Sequence, residues 1–67
     1  MLYRNLILAA RRLGFTVTRT GYGDEIRVAP LTAPDGRRLT LAESDAAAYY
    51  AADVADAFET MHAMSGQ

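Results

Sequence analysis

The hydrophobic pattern of this chain changes its period at Gly14, from that of a helix to that of a strand. Over residues 2–13, apolar side chains recur every three or four positions, which is typical of a helix with one buried face. Over residues 15–20 they alternate with threonine, as in a strand that is buried on one side. Glycine readily takes the left-handed conformation that ends helices, so Gly14 predicts a helix followed directly by a strand.

A hairpin is predicted next. Residues 25–29 alternate again, and the two alternating segments are separated by Gly21, Tyr22, Gly23 and Asp24, which is a turn composition. A glycine-rich nucleotide-binding loop is excluded, because that loop opens a helix after a strand and a second strand follows here. The sequence therefore predicts an antiparallel hairpin with Tyr22 exposed at its tip.

The segment after the hairpin carries turn and helix-start signals. Residues 34–36, with the sequence Pro-Asp-Gly, predict a turn, and residues 37–41 are long enough for a short strand. Thr40 followed by Glu43 has the spacing of a capping box, and Ser44 with the aspartate after it offers a second N-cap. A helix is therefore expected to begin near one of these two positions.

Residues 46–51, with the sequence Ala-Ala-Ala-Tyr-Tyr-Ala, allow two interpretations. By the helix propensity of alanine, one helix extends over residues 44–64. Alternatively, residues 46–50 form a strand and the last helix begins near Ala52. In both cases residues 53–64 are helical, with an apolar stripe formed by Val54, Phe58 and Met61.

The pattern as a whole predicts an α+β fold: a small α-β-β-(β)-α domain in which an antiparallel sheet of two or three strands packs against two helices. Residues 1–67 are expected to form a single domain, because a chain of this length supports only one hydrophobic core. Its stability margin should be thin, on the order of 3–5 kcal/mol. Ten residues are predicted to form the core: Leu2, Leu6, Leu13, Phe15, Val17, Ile26, Val28, Val54, Phe58 and Met61.

The chain contains no cysteine, which excludes disulfides and thiolate metal sites. Small secreted domains usually depend on disulfides, so the reducing cytoplasm is the expected compartment. The order of charges at the amino terminus is not that of a signal peptide, because Arg4 interrupts the apolar run and two arginines follow it. No apolar run reaches the ~20 residues of a membrane span. We therefore expect a cytoplasmic protein without a membrane anchor.

Charge is distributed unevenly along the chain. All seven arginines lie within residues 1–38, where three acidic residues leave a net charge of +4. Residues 39–67 contain five acidic residues, no arginine and no lysine, for a net charge of −5 with the histidine neutral. The overall net charge of −1 therefore conceals a basic part and an acidic part, and we expect two surfaces of opposite sign.

Catalytic and metal-binding residues are scarce. His62 is the only histidine and lies at the edge of the apolar stripe of the last helix, so a half-buried structural role is expected. Asp53 and Asp56 lie three residues apart at the start of that helix, where acidic residues commonly complement the helix dipole. We expect no enzymatic activity, no cofactor and no metal site.

Leu8 is the residue that most strongly indicates binding. It lies in the middle of the polar face of the first helix with arginines around it, a composition typical of protein contacts. A single exposed leucine is also ordinary on a protein surface. The arginines allow nucleic-acid binding as an alternative, although the sequence pI of about 5.6 disfavours it. Eight residues are predicted to contact a partner: Arg4, Leu8, Arg11, Arg12, Tyr22, Tyr49, Asp53 and Asp56.

Three segments of the chain have a recognisable pattern: Gly14-Phe15-x-Val17, Gly23-Asp24-Glu25-Ile26-Arg27-Val28 and Ala48-Tyr49-Tyr50-x-x-Asp53-Val54-x-Asp56-Ala57-Phe58-x-Thr60. Through these segments, about half of the chain resembles a group of small uncharacterised proteins of tailed phages and prophages. The resemblance implies a mobile-element origin and a strand over residues 46–50, because a Tyr-Tyr pair ends a strand in those proteins. The chain departs from them at Ala51 and Ala52, which replace the helix-capping residues, and at residues 39–45, which look inserted.

These observations favour a non-enzymatic phage or prophage accessory protein that binds a host or phage protein. Inhibition of a bacterial defence complex, as by anti-CRISPR proteins, is the specific expectation, and the bacterial cytoplasm is its expected location. The alternative is a small nucleic-acid-associated protein that uses the arginines of the first helix. A structural component of a phage particle is a third interpretation. The identity of the partner, the oligomeric state and the choice between the basic and the acidic face stay open.

Overall fold

Three helices and three strands form along residues 2–65, which are the residues that this computed structural model describes. The strands form one antiparallel sheet in chain order with the second strand in the centre, and the first and last helices pack against each other and against the sheet. The α+β prediction is therefore confirmed, with three strands rather than two and with one additional short helix. In chain order the elements are α1 (Tyr3–Leu13), β1 (Phe15–Arg19), β2 (Ile26–Pro30), α2 (Leu41–Ala46), β3 (Tyr49–Ala51) and α3 (Val54–Met64).

Gly14 ends α1 in the left-handed conformation, as predicted, with a φ of 83°. Its N–H donates to the carbonyl of Ala10 at 2.9 Å, and its own carbonyl accepts from Leu31 at 2.8 Å. A Cβ at this position would lie 3.0 Å from the hydroxyl oxygen of Thr32. Both the backbone conformation and the close approach of the loop after β2 therefore favour glycine.

The pairing of the strands gives the sheet two different sides. Val17 pairs with Val28 and Val28 with Tyr49, which places these side chains on the side covered by α1 and α3. Thr18 and Tyr50 both pair with Arg27 and therefore lie on the opposite side. On that side α2 contacts β2, and its Asp45 forms an ion pair with Arg27. The rest of this side of the sheet, where Thr18 and Tyr50 lie, is open to solvent.

The predicted strand over residues 46–50 forms, but it is shifted and shorter. Val28 pairs with Tyr49, so two positions further along the same register Pro30 would pair with residue 47. Proline has no N–H to donate, so the ladder cannot extend in that direction. The buried Ser44 hydroxyl donates instead to the Pro30 carbonyl at 2.6 Å. Residue 46 consequently ends α2, β3 is Tyr49–Ala51, and the long helix over residues 44–64 does not form.

The capping box at the start of α2 is confirmed. The Thr40 hydroxyl accepts from the Glu43 N–H at 3.2 Å, and the Glu43 carboxylate accepts from the Thr40 N–H at 2.9 Å. The second N-cap predicted at Ser44 is wrong, because that residue lies inside the helix. The short strand predicted over residues 37–41 is also wrong: within the described residues the loop forms a single bridge, between Thr32 and Arg38. Residues 39–45 thus lie mostly in a capped helix.

The core lies between the sheet and the pair α1 and α3. Its largest fully buried side chains are Leu6, Ile26, Val28 and Met61. The prediction of Leu2 as a core residue is wrong, because it precedes α1 in extended conformation and its side chain is 59% exposed. Four predicted core residues are half-buried around the centre: Leu13, Val17, Val54 and Phe58. Five buried alanines were not predicted: Ala9, Ala10, Ala29, Ala51 and Ala57.

The helices of residues 2–65 are all too short or too polar to cross a lipid bilayer.

Candidate functional site

The solvent-exposed face of α1 carries four of the predicted partner-binding residues. The opposite face of this helix is buried through Leu6 and two alanines, which fixes its rotation relative to the sheet. Leu8 is 60% exposed, and three of its four neighbours at three- and four-residue spacings are arginines, the fourth being Asn5. We call this surface the arginine face; its members are Arg4, Leu8, Arg11 and Arg12.

The arginines of this face have no acidic partner within the part of the chain that the structure describes. Among residues 2–65 there are two ion pairs, and both involve other arginines, Arg27 with Asp45 and Arg37 with Glu43. A further arginine, Arg19, stacks its guanidinium 4.2 Å from the centre of the Tyr3 ring. The arginine face therefore presents three positive charges to solvent without neutralisation from the described part of the chain.

The position of Arg4 opposes the electrostatics of its own helix. It lies in the first turn of α1, which contains no acidic residue. The N-cap residue, Leu2, makes no side-chain hydrogen bond to this turn. A helix N-terminus has a partial positive charge, so an arginine there is unfavourable. Arg11 and Arg12 lie in the last turn, where positive charge is favourable. The helix dipole therefore favours Arg11 and Arg12, but not Arg4.

The predicted acidic residues have structural roles at the start of α3. Asp53 is the N-cap, and its carboxylate accepts from the Asp56 N–H at 2.8 Å. The Asp56 carboxylate accepts from the Ala52 N–H at 2.9 Å and from the Tyr49 hydroxyl at 3.2 Å. These bonds join β3 to α3. The last acidic residue on this helix, Glu59, is exposed.

The two predicted tyrosines belong to different parts of the molecule. Tyr22 lies in the turn between β1 and β2 and is 79% exposed, as predicted. Tyr49 is 42% exposed and its hydroxyl is bonded to α3. The structure therefore brings the four α1 residues together and leaves the tyrosines and aspartates on other elements.

Tyr50 is an exposed aromatic residue that the sequence analysis did not select. It is 56% exposed and lies beside Arg27 on the open side of the sheet. The signal was present in the sequence, because adjacent residues of a strand point to opposite sides and only one of two neighbouring tyrosines can face the core.

His62 has the half-buried position that was predicted for it. Its ring packs against Phe58 with the ring centres 4.4 Å apart, and its Nε2 atom is buried without a hydrogen-bond partner among the described residues. Over residues 2–65, no three histidine, aspartate or glutamate side chains are grouped so that they could hold a metal ion.

Fold and surface together define a small α+β domain with an arginine-rich helix face exposed to solvent. Compared with protein-family models, curated proteins and solved structures, the chain gives no match.

Proposed function

We propose that this chain is a non-enzymatic binding domain whose arginine face binds an acidic surface of another protein. The observation that carries the proposal is Leu8, which is 60% exposed on a helix face with three arginines that have no acidic partner among residues 2–65. A desolvated apolar centre with a charged rim is the arrangement of residues that contribute most to protein–protein affinity. The arginine side chains would set the orientation and the rate of association.

A protein partner accounts for Leu8 better than a nucleic acid does. Contacts to a phosphate backbone come from positive and hydrogen-bonding groups, and they leave an apolar side chain between them without a partner. A protein surface can cover Leu8 while its acidic residues bind Arg4 and Arg11. The net charge of −1 for the whole chain also gives little general attraction to nucleic acid.

The resemblance to phage and prophage proteins supports a bacterial partner. An accessory protein of a phage acts inside its host, so a host protein with an acidic surface, such as a component of a defence complex, is the partner class to test first. Binding at such a surface would block whatever positively charged ligand or subunit the complex normally places there.

Nucleic-acid binding is the second candidate function. The observation that favours it is the set of three arginines on one helix face that no described acidic residue neutralises. In this case each arginine would contribute separately to affinity through counterion release, and Leu8 would contribute almost nothing.

Affinity capture from bacterial lysate, with the immobilised protein as bait, tests the proposal. Leu8→Asp should abolish capture of the partner, because it places a charge in the apolar centre of the contact. Leu41→Asp is the matched control: Leu41 is 86% exposed, but it lies on α2. Proteins retained by the parent and by Leu41→Asp but lost with Leu8→Asp support the proposal. Capture that is unchanged by Leu8→Asp, or no specific capture at all, would contradict it.

The acidic nature of the partner surface is tested by charge reversal in the same assay. Arg4→Glu should weaken capture, and its matched control is Arg38→Glu, since Arg38 is exposed and forms no ion pair within the described residues. If the two substitutions weakened capture equally, capture would depend on the net charge of the protein alone and not on the arginine face.

A further inference from the structure

A cleft of about 460 Å³ lies where the ends of α1 and α3 meet α2 and the loop after β2. Clefts of this size are typical of small-molecule sites. Its lining is mainly apolar and includes Leu13, Phe15, Ala33, Leu39 and Met64. Apart from Phe15, which is buried, these side chains are half-buried, so each presents part of its surface to the cleft.

Two charged side chains also line the cleft, and only one of them is neutralised within the described residues. The Glu43 carboxylate accepts hydrogen bonds from the Arg37 guanidinium and from the Thr40 N–H. Arg12 is exposed and has no acidic partner in the same part of the chain. The cleft therefore combines an apolar interior with one available guanidinium at its rim.

We propose that this cleft binds a small amphipathic carboxylate, that is, an acid with one anionic head group on an apolar chain or ring. The apolar part would replace water against Leu13, Leu39 and Met64, which is favourable in proportion to the apolar area buried. The head group would pair with Arg12, whose guanidinium matches the two oxygens of a carboxylate. The cleft shares Arg12 with the arginine face but does not include Leu8, so a substitution of Leu8 tests the two sites separately.

Titration of the ¹⁵N-labelled protein with decanoate, followed by amide chemical shifts, tests the proposal. Decanoate should bind with shifts concentrated at the residues that line the cleft, and decanol should bind more weakly. Arg12→Gln should weaken decanoate binding by about tenfold or more, since it removes a charge-assisted hydrogen bond, and should leave decanol binding unchanged. Arg11→Gln is the matched control, because Arg11 is the preceding arginine and does not line the cleft.

A substitution that fills the cleft gives a second, independent readout. Ala47→Phe should block decanoate binding, because Ala47 is exposed and lines the cleft. Ala42→Phe is its control, since Ala42 is also exposed but lies outside the lining. The amide spectra report in the same experiment that each variant is folded.

Three results would overturn the proposal. They are the absence of decanoate binding, shifts spread over the whole surface, and an equal loss of affinity with Arg11→Gln and Arg12→Gln. Leu8→Asp should leave decanoate binding unchanged, so the failure of this site and the failure of the arginine face are separate outcomes.

Discussion

Met61 and Phe58 are neighbours on α3, but the protein buries them to different extents. Met61 is fully buried, whereas Phe58 is half-buried and packs against His62. Met61→Ala should lower the free energy of unfolding by about 2–5 kcal/mol, because it leaves a cavity in the centre of the core. Phe58→Ala should cost less despite the larger side chain removed. Urea denaturation of both variants measures the difference, and a larger loss for Phe58→Ala would show that the packing of α3 is wrong.

At the level of single residues, hydrophobic periodicity predicts the large core side chains and misses the small ones. Leu6, Ile26 and Val28 follow from spacing alone, because a large apolar side chain on the inner face has to be buried. Alanine fits buried and exposed helix positions equally well, so the full burial of Ala51 and Ala57 depends on how closely the elements approach. That distance is a tertiary property, and no local pattern encodes it.

Among the short elements, α2 depends most on its capping box. The pKa of the Glu43 carboxyl lies below its ordinary value of 4.5, first because it accepts from the Thr40 N–H and second because it accepts from Arg37. A carboxyl whose pKa is lower in the folded state binds more protons when unfolded. Its contribution to stability is therefore present above pH 4.5 and is lost as the pH falls through the folded value.

The capping box should therefore make part of the stability pH-dependent. Glu43→Gln keeps a side chain that fits the box but does not titrate, so the variant should lose less stability between neutral pH and pH values below 4.5 than the parent does. Chemical denaturation of parent and variant at both pH values measures this. An identical loss in the two proteins would show that the Glu43 carboxylate does not stabilise α2.

The acidic residues of α3 differ in what their substitution would change. Asp53 and Asp56 hold the start of the helix and its link to β3, so charge reversal at either one would disturb the fold as well as the surface. Glu59 is exposed and lies in the middle of the helix, away from the cap. It is therefore the residue at which the acidic face can be probed with the structure left intact.

At the level of elements, the sequence predicts those with a local signal. Gly14, the hairpin turn and the Thr40 capping box each mark a boundary by their own chemistry, and the structure has all three. The bounds of β3 depend on Pro30, which lies far from it in sequence and stops the ladder. Only the register of the sheet shows which residues meet this proline, so the choice between strand and helix there could not be made from local propensity.

At the scale of the molecule, the two ion pairs found among residues 2–65 join the basic part of the chain to the acidic part. Each links an arginine from the first part to an acidic residue of α2, Arg27 to Asp45 and Arg37 to Glu43. The sequence predicted charges of opposite sign, but not which of them neutralise each other. The arginine face on α1 could be predicted from the sequence, because helical spacing alone brings its residues together.

The cleft could not be predicted from the sequence, because its lining residues come from separate segments of the chain that only the tertiary fold brings together.

The proposed function rests on the claim that the arginine face binds protein rather than nucleic acid. Fluorescence anisotropy with labelled duplex DNA and single-stranded RNA, at about 0.15 M salt, tests this claim without knowledge of the partner. We predict weak binding or none, with Kd values no tighter than the non-specific range of roughly 10⁻⁴–10⁻⁶ M. Sub-micromolar affinity for either nucleic acid, lost with Arg4→Gln or Arg11→Gln and unchanged by Leu8→Asp, would contradict it.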